Sequence, residues 1–284
     1  MSRIVYVNGE YLPEEQAKIS VFDRGFLFAD GIYEVTSVLN GKLVDNAAHL
    51  ARMRRSIAAI GLPSPGSDEE VEAIQKQMIV RNNLDEGTVY LQVTRGVADR
   101  DFAYPKNPKA GLVMFTQARS LIASPMAERG IKVKSIDEIR WLKRDIKTVG
   151  LLPASMMKQE AIDAGFDDAW MVENGTVTEG SSNNACIVTH GGVLVTRQLG
   201  SEILPGCTRA AVLRLSREDG LTVEERPFTL AEAYDSAEAF STSASTFVMP
   251  VIQIDDRVIG DGKPGPVARK LRRLYIEAAL AAAG

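Results

Sequence analysis

The chain has 284 residues, 45% hydrophobic and 25% charged, an ordinary composition for a globular protein with a sizeable core. Its formal net charge of -4 provides no general basic field for nucleic acid or an anionic membrane. The apolar runs are shorter than a membrane span, and the N-terminal residues resemble neither a signal peptide nor a transit peptide. Cys186 and Cys207 form no disulfide framework. We therefore expect a cytoplasmic protein that binds neither nucleic acid nor membrane.

The first half of the chain predicts hairpins, helices and strands of moderate length. In order, these are a hairpin at Asn8-Gly9, a hairpin at Asn40-Gly41, a helix over 49–60 ended by Gly61-Leu62-Pro63, a helix around 71–78, and the strands TVYLQVTR and GLVMFTQ. The stretch QARSLIASP, residues 117–125, has no periodicity and predicts an interdomain connection.

The second half predicts strands joined by tight turns and separated by helices. In order, these are the strand GIKVKSI, a helix from about Pro153, hairpins at Asn174-Gly175 and Gly191-Gly192, the helix TRAAVLRLSRED, the strand TVEERPF, the short helix TLAEAYDS, a strand in EAFSTSAS and the closing helix PVARKLRRLYIEAALAAA. Because hairpins outnumber strand–helix–strand units, the sequence predicts an α+β protein rather than a doubly wound parallel sheet. We predict a smaller domain over 1–118 and a larger one over 119–284.

Several common catalytic motifs are missing. The sequence contains no GxGxxG, Walker loop, HExxH or GxSxG, and its only two histidines are far apart, so we expect no metal site. Ser155 and Lys158 match the SxxK pattern of serine acylases. The partner motifs SDN and KTG are missing, and a lone short motif is weak evidence.

Lys147 is unusual because apolar residues surround it in RWLKRDIKTVGLL, residues 140–152. Its apolar neighbours indicate the interior, where an ammonium group is costly unless it is paired or loses its proton. A lysine in such a place can become a nucleophile. Alternatively, only its stem is buried and its charged head reaches water.

Four further clusters carry polar groups beside apolar segments. Glu179 in VTEGSS ends a hairpin strand, where a carboxylate could hold a positive charge or could belong to an ordinary turn. Cys207 and Thr208 begin a helix after Pro-Gly, which suits a phosphate or a plain threonine cap. STSASTF, residues 241–247, offers hydroxyl and N–H groups for an anion. Arg52 lies off the apolar stripe of its helix, so a solvated cationic face is the default interpretation.

Together these clusters are far more specific than any one of them. DIKTVGLL, VTEGSS, LPGCTR and STSAS follow in one order that resembles the fold-type IV pyridoxal-phosphate enzymes. The resemblance runs from DRGFLFADGIYEV to the closing helix. It is greatest to the D-amino-acid aminotransferases, in ADGIYEV, in VTRG, and in RWLKRDIKTVGLL with KQEA. It implies a two-domain enzyme with pyridoxal 5'-phosphate bound between the smaller N-terminal and the larger C-terminal domain.

The resemblance also implies the roles of individual residues. Lys147 would form the Schiff base and move the Cα proton in a ping-pong transamination, and Glu179 would pair with the pyridinium nitrogen. Arg52 would bind the phosphate. Further cofactor contacts would come from Ser181, Ser182, Leu204, Cys207, Thr208, Ser243, Ala244 and Ser245.

Substrate recognition is where the sequence departs from the family. Tyr33 matches a tyrosine that lines the substrate pocket. Arg100 matches an arginine that holds the substrate carboxylate and comes from the neighbouring subunit, so the resemblance implies a homodimer with a shared active site. Phe102 stands where these enzymes carry a histidine, which predicts altered carboxylate binding and some tolerance of (R)-amines.

Three related enzymes share Lys147 and Glu179 and remain alternatives. They are a branched-chain L-amino-acid aminotransferase, an (R)-amine transaminase and aminodeoxychorismate lyase. A non-catalytic binding protein is a further alternative, although every reactive position of the motif set is present. The favoured reaction transfers an amino group from a D-amino acid such as D-alanine to 2-oxoglutarate or another 2-oxo acid.

Overall fold

The computed structural model describes residues 2–282 as two compact units. Unit 1 contains residues 2–120, 146–150 and 282, and unit 2 contains residues 121–145 and 151–281. The predicted boundary between residues 118 and 119 lies near residue 120, where the chain first passes from unit 1 to unit 2. The prediction placed residues 146–150 in the larger domain, whereas they belong to unit 1. This segment groups with unit 1 because Tyr33 N–H donates to the Lys147 carbonyl at 3.0 Å and Val149 N–H donates to the Gly31 carbonyl at 3.1 Å.

Unit 1 contains a six-stranded antiparallel sheet. Its strands are β1 (Ile4–Val7), β2 (Glu10–Pro13), β3 (Gly31–Leu39), β4 (Lys42–Leu43), β5 (Gly87–Thr94) and β6 (Gly111–Ala118), in the order β2-β1-β6-β5-β3-β4. Asn8-Gly9 and Asn40-Gly41 connect the two predicted hairpins, and all four residues have positive φ. A two-residue hairpin turn requires that conformation, which asparagine and glycine tolerate best, so both hairpin predictions are confirmed.

Three helices accompany this sheet: α1 (Arg24–Phe28), α2 (Asn46–Ala59) and α3 (Asp68–Arg81). The apolar periodicity predicted α2 and α3, whereas the five-residue α1 is too short to show a period. Ser67 and Glu70 form a reciprocal capping box at the start of α3. Met53 of α2 and Met78 of α3 pack with Leu91 of β5 in one buried core, which fixes the face of α2 that carries Arg52.

Unit 2 contains a mixed nine-stranded sheet. Its strands are β7 (Ile131–Asp137), β8 (Asp168–Glu173), β9 (Thr176–Gly180), β10 (Asn184–Val188), β11 (Leu194–Thr196), β12 (Val223–Glu225), β13 (Glu238–Ser243), β14 (Phe247–Ile254) and β15 (Arg257–Val258). The order is β12-β11-β10-β13-β14-β7-β8-β9, with β15 beside β14. The β11–β12, β14–β7 and β7–β8 pairs are parallel and the others antiparallel, which confirms the α+β prediction.

The helices of unit 2 are α4 (Pro125–Arg129), α5 (Leu152–Asp163), α6 (Cys207–Glu218), α7 (Leu230–Tyr234) and α8 (Pro266–Ala282). Trp170 and Phe228 are fully buried at the centre of the core of unit 2, and the Trp170 indole donates to Ser241 Oγ at 3.0 Å. Glu238 of β13 accepts the N–H groups of Val267 and Ala268, which ties the start of α8 to the sheet. Among residues 2–282, no helix is both long and apolar enough to span a membrane.

Candidate active site

Lys147 lies in unit 1 on the edge of β3. Thr148 forms an isolated β-bridge with Ile32, and the Lys147 N–H donates to Ser56 Oγ at 3.3 Å. The lysine Nζ lies 4.1 Å from the centroid of the Tyr33 ring. Lys147 is half-buried, so the expectation of an interior position is only partly met.

The apolar neighbours of Lys147 differ more clearly from the expectation. Ile146 is buried, but Leu151 and Leu152 are 38% and 71% exposed within the chain, so the prediction that they enter the interior was wrong. The reason is that Leu151 lies at the N-terminus of α5, where the chain leaves unit 1 and begins a helix of unit 2. The Tyr33 ring is thus an apolar contact of the Lys147 amine that the residues next to it in the sequence did not indicate.

Arg52 is buried beside a carboxylate that the sequence did not single out. Its Nε and Nη2 donate to the two oxygens of Glu34 at 2.8 and 2.6 Å, and His49 Nδ1 lies 2.8 Å from Glu34 Oε2. Arg52 is 4% exposed, so the default interpretation of a solvated cationic face was wrong. Helix α2 packs the side that carries Arg52 against β3. Side chains alternate between the two faces of β3, and Glu34 is on the buried face.

Glu34 is ionised in spite of its burial. Burial alone would raise the pKa of this carboxyl, but hydrogen bonds and charge from Arg52, together with His49, lower the pKa to about 2. Glu34 thereby fixes the plane of the Arg52 guanidinium through a bidentate ion pair. The resemblance assigned Arg52 to a phosphate, and Glu34 is the residue that orients it.

Glu179 lies in unit 2 with both carboxylate oxygens bound. Oε1 accepts from Arg140 Nη1 at 2.8 Å, and Oε2 accepts from Asn184 Nδ2 and from the Leu204 N–H, each at 3.0 Å. Asn184 Nδ2 also donates to the Leu204 carbonyl at 2.8 Å. Leu204 therefore contributes its main chain to the orientation of Glu179.

A second buried carboxylate, Glu138, holds Arg140 in place. Arg140 donates to Glu138 through Nε and Nη2, and Arg144 Nη1 lies 3.0 Å from Glu138 Oε2. Burial opposes ionisation of Glu138, but these guanidinium groups lower its pKa to about 2. Burial raises the pKa of Glu179, against the lowering effects of Arg140 and of the Leu204 N–H. A further cation beside Glu179, in addition to Arg140, would also lower its pKa and offset the effect of burial.

The N-terminus of α6 has the donors that an anion requires. Gly206 precedes the helix without a side-chain cap, so the first N–H groups of the helix have no intrahelical acceptor. Cys207 and Thr208 are buried there, and within residues 2–282 the Thr208 hydroxyl has no hydrogen-bond partner. The Thr242 hydroxyl, on β13 opposite Asn184, is likewise buried and unpartnered in the described chain. A phosphate fits this donor set.

The hairpin turn after β13 carries further hydroxyls. Ser243 Oγ lies 2.7 Å from Thr246 Oγ1 and 3.4 Å from Ser245 Oγ, and Ala244 lies between them in the chain. Ser181 is buried, but its hydroxyl donates to Asp168 at 2.5 Å, and Ser182 is exposed. The hydroxyl of Ser181 is therefore engaged in fixing the turn after β9.

The loop that carries Arg100 and Phe102 is exposed, but hydrogen bonds from a buried arginine anchor its main chain. The buried Arg24 donates to the carbonyls of Asp101 and Ala103 at 2.5 and 3.4 Å. Asp30 binds both Arg24 and the buried Arg95, so two guanidinium groups share one carboxylate. This arrangement makes the loop a defined part of unit 1.

Aromatic rings flank the Arg100 side chain. Its guanidinium carbon lies 5.4 Å from the centroid of Phe28 and 5.7 Å from that of Phe102. The two rings meet edge-on at 5.6 Å, and Phe102 is 79% exposed within the chain. Arg100 is thus presented at the surface of unit 1 with apolar flanks.

The residues that orient the predicted site residues were not foreseen from the sequence. Glu34 binds Arg52, Arg140 and Asn184 bind Glu179, and Glu138 holds Arg140. None of the four was assigned a role from the sequence, although Glu34 lies in ADGIYEV and Arg140 begins RWLKRDIKTVGLL. Inward-facing charge in an alternating strand was a usable signal for Glu34, since GIYEV places it on the same side as Ile32. Arg140 binds Glu179 from 39 residues away, and sequence spacing gives no sign of that pairing.

Comparison with known proteins identifies the family. The model of the family Amino-transferase class IV matches residues 31–254. The chain is 35% identical over 277 residues to a D-alanine aminotransferase of Staphylococcus aureus (strain N315), with 96% of this chain and 98% of the relative covered. It is 36% identical over 271 residues to a D-alanine aminotransferase of Bacillus licheniformis, with 94% of each chain covered.

Solved structures give the same fold. A branched-chain amino acid aminotransferase of Escherichia coli matches with a TM-score of 0.92 at 22% identity, over 98% of this chain and 95% of the other. The branched-chain aminotransferase of Thermoproteus uzoniensis, solved with norvaline, matches with a TM-score of 0.86 at 26% identity, over 99% and 96%. A further branched-chain enzyme, solved with pyridoxamine 5'-phosphate, matches with a TM-score of 0.90. The chain therefore belongs to the class IV aminotransferases, the fold-type IV group of pyridoxal-phosphate-dependent enzymes.

Proposed function

We propose that the protein transfers an amino group from a D-amino acid of the D-alanine type to a 2-oxo acid such as 2-oxoglutarate. The observation that carries this proposal is the match to D-alanine aminotransferases at 35–36% identity over almost the full length of both chains. Lys147 and Glu179 serve cofactor chemistry that the whole family shares. The substrate assignment therefore depends on these relatives and on the Arg100 loop.

The donor groups of unit 2 support a site for pyridoxal 5'-phosphate. We assign the ring nitrogen to Glu179 and the phosphate to the start of α6, with Cys207, Thr208 and the turn at Ser243, Ala244 and Ser245 as neighbours. Leu204 orients Glu179 through its N–H and would contact the ring. When bound, the cofactor withdraws electrons from the substrate Cα and so acidifies the Cα proton.

The side chains of unit 1 support the remaining roles. Lys147 Nζ takes the proton from the substrate Cα in one half-reaction and returns a proton there in the other. Tyr33 contacts this amine and would line the substrate pocket. Arg52, oriented by Glu34, adds positive charge for the phosphate.

Arg100 is the proposed ligand of the substrate carboxylate. A guanidinium can hold a carboxylate by itself, so the replacement of a polar partner by Phe102 is compatible with amino acid substrates. The rings of Phe28 and Phe102 make the surroundings more apolar. We therefore expect weaker carboxylate binding than with a histidine, and some turnover of simple (R)-amines.

A second copy of the chain would complete the site. Several apolar side chains of unit 1 are exposed in the single chain: Val21, Phe22, Phe26, Val97, Phe102 and Tyr104. Exposed apolar side chains often mark a surface that a partner covers. We propose a homodimer in which Arg100 serves the neighbouring active site, and light scattering of the purified protein tests it. Both cysteines are free and buried, which is compatible with a reducing cytoplasm.

The branched-chain L-amino-acid aminotransferases are the second candidate. The enzyme of Thermoproteus uzoniensis shares 26% identity with this chain at a TM-score of 0.86. This candidate predicts turnover of L-leucine and none of D-alanine.

The deciding experiment compares D-alanine, L-alanine and L-leucine as amino donors to 2-oxoglutarate with the holoenzyme. Pyruvate formed from D-alanine alone supports the proposal, and turnover of L-leucine with silence on D-alanine overturns it. The Lys147→Ala variant should lose about 100-fold or more of the rate, because it lacks the proton carrier. Lys143→Ala is the matched control, since Lys143 is exposed four residues away. If the cofactor-loaded enzyme turns over none of the three donors, (R)-amines are the next substrates to test.

A further inference from the structure

The turn between β13 and β14 ends on a backbone conformation that its sequence does not favour. Ser243 and Phe247 form the last pair of the ladder, and Thr246 N–H reaches the Ser243 carbonyl at 3.4 Å. Phe247 has a φ of 58°, in the left-handed region. Glycine or asparagine usually occupies such a position at the end of a short hairpin loop. A bulky residue there is strained and persists only if its surroundings hold it.

One side chain of α8 holds this residue from both sides. Arg272 Nη1 donates to the carbonyl of Thr246 at 2.7 Å and to that of Val248 at 3.0 Å, the two carbonyls that flank Phe247. Its Nη2 donates to the carbonyls of Leu121 and Ile122. A planar guanidinium fixes the relative positions of the carbonyls it binds, because its donors form a rigid fork.

The Phe247 ring is the second constraint. It is fully buried, with its centroid 5.1 Å from that of Tyr275 and 5.7 Å from the Arg272 guanidinium carbon. Tyr275 and Arg272 are one turn apart on α8, so the same helix face holds both the ring and the backbone of Phe247. The ring cannot leave its place without opening the core.

Arg272 also brings charge to the turn. No carboxylate in the described part of the chain forms an ion pair with it, and its donors go to main-chain carbonyls. Burial lowers the pKa of this guanidinium from its ordinary value, but arginine stays charged at any physiological pH. The Ser243–Thr246 turn therefore lies beside a cation that no described carboxylate neutralises.

We propose that Arg272 is a positioning residue for the cofactor phosphate. By binding the carbonyls on both sides of Phe247, it holds the left-handed backbone that shapes the Ser243–Thr246 turn. This turn thereby presents the hydroxyls of Ser243, Ser245 and Thr246 in a fixed arrangement. This inference rests on the proposed function, which assigns the phosphate of pyridoxal 5'-phosphate to that turn.

The test compares two forms of the cofactor in binding to the apoprotein. Pyridoxal 5'-phosphate and pyridoxal share the ring and the aldehyde, but only the first carries the phosphate. In the Arg272→Met variant, the dissociation constant of pyridoxal 5'-phosphate should rise about tenfold, as expected for loosened hydrogen bonds to a charged ligand. The dissociation constant of pyridoxal should change less than about twofold.

Arg273→Met is the matched control. Arg273 is the next residue of the same helix, but it is exposed, and its one ion pair within residues 2–282 is with Glu277 at 3.8 Å. This variant should bind both compounds as the parent protein does. Equal weakening of both compounds in Arg272→Met would indicate general damage to unit 2 and would overturn the proposal. Unchanged binding of both compounds in Arg272→Met would also overturn the proposal.

Two further variants keep the test decisive if Arg272→Met folds poorly. Phe247→Gly and Phe247→Ala both remove the ring, but only glycine adopts a φ of 58° without strain. The glycine variant should bind pyridoxal 5'-phosphate more tightly than the alanine variant, and equal binding would contradict the role of the backbone.

A separate variant distinguishes the two proposals. Ser243→Ala should weaken pyridoxal 5'-phosphate selectively if the turn binds the phosphate. An effect of Ser243→Ala with no effect of Arg272→Met removes only the positioning role. No effect of either variant removes the phosphate assignment and the positioning role together.

Discussion

Arg140 donates to Oε1 of Glu179 at 2.8 Å, while its other donors bind the buried Glu138. Glu179 therefore has a cation beside it before any cofactor is present. This cation and the Leu204 N–H oppose the effect of burial, which raises the pKa of Glu179. The protonation state of Glu179, the proposed partner of the ring nitrogen, consequently depends on Arg140, to which the sequence assigned no role.

Removing Arg140 should shift the pH dependence of the enzyme. In Arg140→Gln the burial effect is no longer opposed by the guanidinium, so the pKa of Glu179 rises further. Because Glu179 in its proposed role must be ionised to stabilise a protonated ring nitrogen, the acidic limb of the kcat profile should move to higher pH. Lys143→Gln is the control at an exposed site. An unshifted acidic limb in Arg140→Gln would contradict this role.

Glu34 should make unit 1 sensitive to acid. Its pKa is about 2 in the folded chain and ordinarily near 4.5, so its contribution to stability is complete above the ordinary value. The contribution is lost as the pH falls from about 4.5 towards about 2, and it amounts to at most about 3 kcal/mol. Denaturant unfolding at a series of acidic pH values measures it.

The Glu34→Gln variant isolates this contribution. It removes the carboxylate that accepts two hydrogen bonds from the buried Arg52 guanidinium, so at neutral pH it should lose about 3 kcal/mol of unfolding free energy. Its stability should then fall less steeply than that of the parent protein below pH about 4.5. Glu72→Gln, on the exposed side of α3, should keep the parent slope. Parallel curves for Glu34→Gln and the parent would contradict the prediction.

Restoring a polar group beside Arg100 should improve carboxylate binding. In Phe102→His, the imidazole can donate a hydrogen bond to a substrate carboxylate, so the KM for D-alanine should fall by about two- to tenfold. The KM for an (R)-amine, which has no carboxylate, should not fall. Phe102→Leu separates loss of the ring from gain of a donor, and an equal fall in KM with leucine would exclude the hydrogen bond as the cause.

Arg24 should control the order of the Arg100 loop. In Arg24→Met the carbonyls of Asp101 and Ala103 lose their donor, so the loop should become more mobile. Chymotrypsin should cleave after Phe102 faster than in the parent protein. The KM for D-alanine should rise by about tenfold, with a smaller change in kcat.

Arg100→Met is the counterpart of Arg24→Met. It removes the proposed substrate ligand but leaves the loop anchored, so it should raise the KM without faster cleavage. Equal rates of cleavage in Arg24→Met and the parent protein would refute the anchoring role of Arg24.

Local features of the chain were well predicted from the sequence. The Asn-Gly turns at residues 8–9, 40–41 and 174–175 connect hairpins as expected, because short-range backbone preferences determine such turns. The periodicity of α2 and α6 was visible for the same reason. Strand β14 was not predicted, since Pro250 interrupts its apolar run and proline is uncommon inside strands.

The orienting contacts of the site were beyond the reach of sequence reasoning. Glu34 meets Arg52 across 18 residues and Arg272 meets Val248 across 24, in each case through the packing of a helix on a sheet. Burial of Arg52 depended on which side of α2 faces β3, and the apolar periodicity of the helix indicated the solvent side instead. The proposed site residues were recognisable from the sequence as a set, whereas the residues that orient them become identifiable only when the strands and helices are assembled.

The pairing of residues 147–149 with the edge of β3 has a consequence for synthesis and engineering of the chain. On the ribosome, Gly31–Tyr33 cannot acquire this neighbour until residue 150 has emerged, so unit 1 stays incomplete while residues 121–145 are made. A fragment that stops at Ser120 would lack Lys147 altogether. Exchange of unit 1 between related enzymes should therefore carry the segment Ile146–Gly150 with it, and hybrids joined at a single point after Ser120 would combine β3 with a foreign lysine segment.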